Sequence, residues 1–121
     1  MSEKPISESM RAADVRHLGA LTMRSTRDGD RHVIALAGEL DLAGADLFSD
    51  ELQRVEATDV RRIVIDLRDL EFIDSTGIRI IYTADMRSRA DSDRLVIRRG
   101  PDRVHRLFVM TDLADRLPFV D

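Results

Sequence analysis

Ile63-Val64-Ile65-Asp66-Leu67 runs through Phe72-Ile73 into Asp74-Ser75-Thr76-Gly77, and the fold is decided in this stretch. Ile63-Val64-Ile65 is a β-branched run without alternation, the pattern of a central strand covered on both faces. Phe72-Ile73 reads as a short loop. Asp74, Ser75 and Thr76 are all residue types that cap helix N-termini, so the motif opens a helix. Beyond it Ile78, Ile81, Tyr82 and Met86 form one apolar stripe, and Asp85 stands four residues before Arg89, the spacing of an ion pair on a helix.

Working outward, Leu95-Val96-Ile97 predicts a further buried strand, which Gly100-Pro101 ends. Val104, Leu107 and Phe108 then mark a third helix, and Leu113, Leu117, Phe119 and Val120 a short closing segment. Upstream, Ala45, Phe48, Leu52 and Val55 recur at helical steps from Ala43 onward. Before that helix, Leu21, Met23 and Ser25 alternate with Thr22, Arg24 and Thr26. Asp28-Gly29-Asp30 supplies a turn, and Val33 to Ala37 returns as a second strand that Gly38 ends, so the segment reads as a hairpin. The order β-β-α-β-α-β-α is an α/β pattern, with right-handed crossovers joining parallel strands after the hairpin. Residues 1–20 read as an N-terminal tail, disordered or loosely helical around Ile6, Met10 and Ala13, and residues 21–121 as one domain.

Composition narrows the function. The chain has 121 residues, 43% of them hydrophobic and 35% charged, a mixture suited to one globular core. No cysteine is present, so disulfides, thiolate nucleophiles and cysteine metal clusters are excluded, and a cytoplasmic location is expected. No apolar run approaches the ~20 residues of a membrane-spanning helix. The charged first twenty residues do not resemble a secretory signal. A net charge of −4 argues against nucleic acid as a partner, and the 19 basic residues, all arginine but Lys4, are interleaved with acids rather than clustered.

Chemistry concentrates at Asp74-Ser75-Thr76-Gly77, where two adjacent hydroxyls are presented at a helix start. A helix N-terminus carries unpaired N–H groups and a positive dipole end, so a phosphate on either hydroxyl is expected to be tolerated. The competing reading is that Asp74, Ser75 or Thr76 serves only as an N-cap.

Gly38-Glu39-Leu40-Asp41-Leu42 at a strand end, followed in order by Ile63-Val64-Ile65-Asp66-Leu67 and Phe72-Ile73-Asp74-Ser75-Thr76-Gly77, resembles the STAS domain of anti-sigma factor antagonists from about Leu21 to Phe119. The resemblance implies a mixed, mostly parallel β-sheet with an N-terminal hairpin, covered by helices. It also implies a partner switch. The unmodified protein would bind a kinase-type anti-sigma factor and release sigma. The partner, using its own ATP and magnesium, would then phosphorylate the second hydroxyl of the motif. Carried over, the acceptor is Thr76, with Ser75 the runner-up, and the partner-binding surface comprises Asp41, Asp74, Ser75, Thr76 and Gly77. The chain departs from the commoner pattern by having threonine at the acceptor, whose extra methyl is expected to slow transfer. A separate phosphatase would restore the active form.

Rival readings are weaker. A receiver-type phospho-aspartate domain would use Asp66, but such domains need a lysine after a later strand, and Lys4 is the one lysine; Asp66 is better read as a strand-end residue satisfying loop N–H groups. A serine hydrolase needs an activating base, and neither Gly-x-Ser-x-Gly nor a histidine lies beside Ser75. His17, His32 and His105 are scattered and read as surface or half-buried residues, so no metal site is expected. No Gly-rich phosphate loop occurs, so no cofactor is assigned to the chain. Phe48, Phe72, Tyr82 and Phe108 read as core packing. A STAS scaffold or binding module in a signalling or transporter complex, never switched at Thr76, remains the alternative.

Overall fold

The structure, a computed structural model, describes residues 14–120. The elements are β1 (Asp14–Leu18), β2 (Leu21–Asp28), β3 (Arg31–Leu40), α1 (Ala45–Glu56), β4 (Arg62–Ile73), α2 (Ser75–Asp91), β5 (Leu95–Arg98), α3 (Asp102–Met110) and β6 (Phe119–Val120). Strands follow chain order across one sheet, antiparallel from β1 to β3 and parallel from β3 to β6. Each parallel crossover steps one strand in the same direction, and right-handed connections then place all three helices on one face. The core agrees: Phe48, Leu52 and Val55 of α1, Ile78 and Ile81 of α2, and Val104 and Phe108 of α3 form one cluster with strand residues such as Ile34, Leu36, Ile65 and Ile97. Burying each of these side chains contributes about 1.5–3 kcal/mol. Val64 is also buried, on the opposite face, between its ladder partners Val33 and Val96.

Four sequence expectations are corrected. First, the tail read over residues 1–20 does not hold for Asp14–Leu18, which forms β1 and pairs with β2 from Asp14 opposite Ser25 to Leu18 opposite Leu21. All five residues are exposed, so no hydrophobic pattern marks the strand; backbone bonds and a 2.9 Å ion pair from Arg16 to Glu51 hold it. The loose helix expected around Ile6, Met10 and Ala13 lies outside the described residues.

Second, Gly38 does not end β3, which bends there and continues to Leu40. Third, the loop expected at Phe72-Ile73 is the end of β4. The register against β3 slips twice, so the inward residues of β4 run Ile63, Ile65, Leu67, Leu70 and Ile73. Two steps of two are followed by two of three. The extra residues turn Phe72 outward, and it is 47% exposed rather than packed in the core. Fourth, the buried seam of α2 runs through Ile78, Ile81, Ala84 and Asp85, leaving Tyr82 and Met86 exposed. Asp85 nevertheless pairs with Arg89 at 2.9 Å as the spacing predicts.

Candidate functional site

The site is built where β3 and β4 end. As parallel neighbours they deliver Leu40 and Ile73 side by side, and the Asp74 N–H donates to the Leu40 carbonyl at 3.2 Å, joining the two loops that carry Asp41 and Asp74. Gly38 makes the bend possible. Its φ is +84°, and a Cβ there would lie 2.2 Å from the Ala20 carbonyl oxygen, which instead accepts the Glu39 N–H at 3.0 Å. Past the strand, the Asp41 carboxylate accepts the Ala43 N–H at 3.0 Å, an Asx turn that fixes the loop ahead of α1. Gly77 lets the first turn of α2 lie against both strand ends, since a Cβ there would stand 2.8 Å from the Leu40 side chain and 2.9 Å from that of Ile73.

Asp74 caps α2. Its backbone is extended, and its Oδ1 accepts from the N–H of Thr76 at 2.9 Å and of Gly77 at 3.3 Å. The N-cap reading thus resolves onto Asp74, and the two hydroxyls are not needed for it. Ser75 is exposed and Thr76 half-buried, and neither hydroxyl has a hydrogen-bond partner among the described residues. The expectation that the helix start offers its N–H groups to a phosphate is corrected, because the Asp74 carboxylate already occupies two of them.

The expected residues Asp41, Asp74, Ser75, Thr76 and Gly77 therefore converge at the carboxyl ends of the parallel strands β3 and β4. Among the described residues Glu39, Asp41, Asp46, Asp69, Glu71 and Asp74 have no ion-pair partner, as is also true of Asp28, Asp30, Asp91 and Asp93 at the opposite end of the sheet, whereas the buried Glu51, Asp66 and Asp85 are each paired with arginine. Two apolar side chains border the acids: Leu42 is 75% exposed, and Phe72 faces outward opposite Glu39. Sequence reading missed both, since a leucine in a loop and an aromatic beside a buried isoleucine carry no signal of exposure.

Residues 23–120 match the family model described as Mlab, STAS domain. The chain belongs to the STAS-domain family. This STAS domain is 33% identical over 89 residues, 74% of its length and 78% of the relative's, to the anti-sigma-B factor antagonist of Listeria monocytogenes serovar 1/2a. Its fold is that of an anti-sigma factor antagonist from Mycobacterium paratuberculosis, with TM-score 0.73 and 21% identity over 82% of this chain and 84% of the other. It also matches SpoIIAA, an anti-sigma factor antagonist solved in its unphosphorylated form (TM-score 0.64, 18% identity, 91% and 89% coverage). The phosphorylated Bacillus SpoIIAA matches with TM-score 0.59 and 17% identity over 91% and 92% of the chains.

Elsewhere in the STAS domain, polar groups serve structure. Asp66 lies inside β4, not at its end, and the first register slip frees the Arg68 N–H to donate to its carboxylate at 3.0 Å. Burial pushes the Asp66 carboxyl up, but hydrogen bonds from the Arg68 side chain and backbone, with the charges of Arg68 and Arg98, outweigh it and hold the group low. His32 and His105 are buried, correcting the surface reading; His17 is exposed beside Thr22.

His32 belongs to a constellation that linear sequence did not reveal. The Ser25 hydroxyl donates to Glu51 Oε2 at 2.5 Å and, its one proton used, accepts from His32 Nε2 at 2.6 Å. Serine sits between the histidine and the acid, so the imidazole cannot act as its base. The cluster is buried at the amino end of β3, and it ties β2, β3 and α1 together. No histidine bonds to Ser75 or Thr76. The described residues contain no group of three potential metal ligands and no helix long and apolar enough to cross a membrane.

Proposed function

We propose that this STAS domain is a cytoplasmic anti-sigma factor antagonist. Unmodified, it docks a kinase-type anti-sigma factor through Asp41, Asp74, Ser75, Thr76 and Gly77 and thereby releases a sigma factor. Phosphorylation of Thr76 ends the docking, and a phosphatase restores it. One observation carries the reading: Asp74 alone caps α2, leaving the paired hydroxyls without a partner among the described residues. The antagonist named among its Listeria relatives, and a structural relative solved in phosphorylated and unphosphorylated forms, support it.

In the transfer step Thr76 Oγ1 attacks the γ-phosphorus of ATP held with magnesium by the partner. The new O–P bond replaces the bond to the β–γ bridging oxygen, ADP leaves, and the hydroxyl proton passes to a base of the partner. The STAS domain supplies only the acceptor, so its role is regulatory binding rather than catalysis. The phosphate adds about 1.5–2 negative charges beside Asp41 and Asp74, and desolvating that concentration of charge in the docked complex disfavours binding. A hundredfold loss of affinity corresponds to about 2.7 kcal/mol.

The test is to incubate the protein with each purified anti-sigma factor kinase of its host and magnesium ATP, map phosphate by mass spectrometry, and titrate affinities calorimetrically. Phosphate is expected on Thr76. Thr76→Ala should take none while keeping affinity within about threefold, and Thr76→Glu should bind about tenfold more weakly. Phosphate on Ser75 in Thr76→Ala would move the acceptor. Equal affinities for wild type and Thr76→Glu would defeat the switch and favour the scaffold.

A further inference from the structure

We infer that Arg79 is the residue that holds the phosphoryl group once it is attached to Thr76, an assignment that rests on the Proposed function for the choice of acceptor. The helix terminus cannot supply the whole cradle, because the Asp74 carboxylate accepts the N–H groups of Thr76 and Gly77 and adds a negative charge of its own. A dianion at Thr76, beside the Asp74 carboxylate, therefore gains more from a nearby cation than from the helix terminus. Arg79 lies three residues after Thr76 and four after Ser75, so one turn of α2 brings its side chain alongside both hydroxyls, with Cβ atoms about 5–6 Å apart.

Arg79 is exposed and has neither an ion-pair nor a hydrogen-bond partner among the described residues, unlike Arg87 and Arg89 further along α2, which pair with Glu56 and Asp85. Nor is it required for folding, since the buried seam of α2 passes through Ile78, Ile81, Ala84 and Asp85. Among the other arginines near the strand ends, Arg68 and Arg98 pair with Asp66, and Arg103 donates to the Glu71 carbonyl at 3.1 Å. A guanidinium forms two parallel bonds to phosphate oxygens, the geometry for which arginine is suited.

Two consequences follow for the switch. The modified protein keeps its phosphate paired within itself, so the inactive form does not depend on a binding partner to stabilise the new charge. The ester oxygens are also partly covered, which slows a phosphatase.

The test removes the kinase from the question by installing phosphothreonine at position 76 during synthesis, in wild type, Arg79→Ala, Arg79→Lys and Arg103→Ala. Phosphorus-31 NMR titration reads the second ionisation of the phosphate, ordinarily near 6, which nearby Asp74, Asp41, Glu39 and Glu71 raise and an arginine contact lowers. Wild type is expected to titrate about 0.5 pH lower than Arg79→Ala, with Arg79→Lys between them and Arg103→Ala like wild type. A broad-specificity protein phosphatase should release phosphate from Arg79→Ala about threefold faster than from wild type. Identical titrations for wild type and Arg79→Ala would overturn the assignment, and a change confined to Arg103→Ala would move the role to α3. If no host kinase phosphorylates Thr76, the Proposed function fails while these titrations still decide the chemistry of Arg79.

Discussion

The two ends of β3 carry similar residues and treat them oppositely. At the amino end, Ser25, His32 and Glu51 are buried, and Glu51 accepts bonds from Ser25, Arg16 and Arg54. At the carboxyl end, among the described residues, Asp41 and Asp74 make only local backbone bonds, while the hydroxyls of Ser75 and Thr76 make none. Burial explains the difference. A charge taken out of water must be paired, whereas a carboxylate at the surface keeps its hydration and stays available to a partner. One end therefore holds the fold together, and the phosphate proposed for the other would break no buried network.

The severest break in this contrast is Glu51→Ala. Removing the acid leaves the Ser25 proton without an acceptor and Arg16 and Arg54 without their shared counter-charge, and it loosens β1, which Arg16 ties to α1. Arg16 and Arg54 are half exposed and regain water, so the cost comes from the orphaned buried Ser25 hydroxyl and the lost ties of β1 and α1, and urea unfolding should show a loss of about 2–3 kcal/mol. Affinity for the proposed anti-sigma partner at low temperature, where the variant is still folded, should stay within about twofold. A loss below about 1 kcal/mol would show that the closed end is dispensable.

Acid probes the same network more gently, by adding a proton instead of deleting a side chain. Burial pushes the Glu51 carboxyl up, but hydrogen bonds from Arg54 and Ser25 and the charges of Arg54 and Arg16 prevail, holding it to about 2. A carboxyl lowered in the folded state stabilises above its unfolded value near 4.5 and loses that contribution as pH falls toward 2. Asp66 is lowered as well and acts in the same direction, whereas Asp85, raised by burial, opposes it. Burial also lowers His32 and His105, so protons favour the unfolded chain and an earlier loss begins below about 6.5. Stability measured from pH 7 to 3 should fall in two stages, and Glu51→Gln should flatten the lower one. A Glu51→Gln profile parallel to wild type would assign the acid loss to other groups.

The open end was the more legible in sequence because its signals are local. Gly38-Glu39-Leu40-Asp41 and Asp74-Ser75-Thr76-Gly77 are contiguous, and the positive φ of Gly38 and the cap of Asp74 are properties of single residues and their near neighbours. The closed end was not legible. Arg16 and Glu51 are 35 residues apart, and Ser25 and Glu51 are 26 apart, so nothing short of the folded sheet brings them together. The same limit hid β1, whose residues are all exposed. It also misplaced Phe72, because a period of two cannot anticipate the register slips of β4. On α2 the apolar letters Tyr82 and Met86 suggested a seam that the helix instead completes with Ala84 and Asp85. Which neighbour of a stripe faces the sheet depends on how the helix is rolled, and hydrophobicity does not set that.

The finest test deletes one hydroxyl at each end. Ser25→Ala removes the atom that receives the His32 proton and donates to Glu51, leaving buried groups unsatisfied, and should cost about 1–3 kcal/mol. Thr76→Val keeps the shape of the side chain, removes a hydroxyl that bonds to nothing in the described residues, and leaves the Asp74 cap intact, since that cap uses the Thr76 backbone N–H. Valine and threonine have similar helix propensities, so the expected change in unfolding free energy is within about 0.5 kcal/mol. Urea denaturation of both variants beside wild type checks the pair. A Thr76→Val loss as large as that of Ser25→Ala would mean that the Thr76 hydroxyl has a structural duty, and the carboxyl end of β3 could no longer be read as a surface held free for modification. If Ser25→Ala is costly and Thr76→Val silent, any loss of signalling by Thr76→Val must come from the missing hydroxyl rather than from a damaged fold.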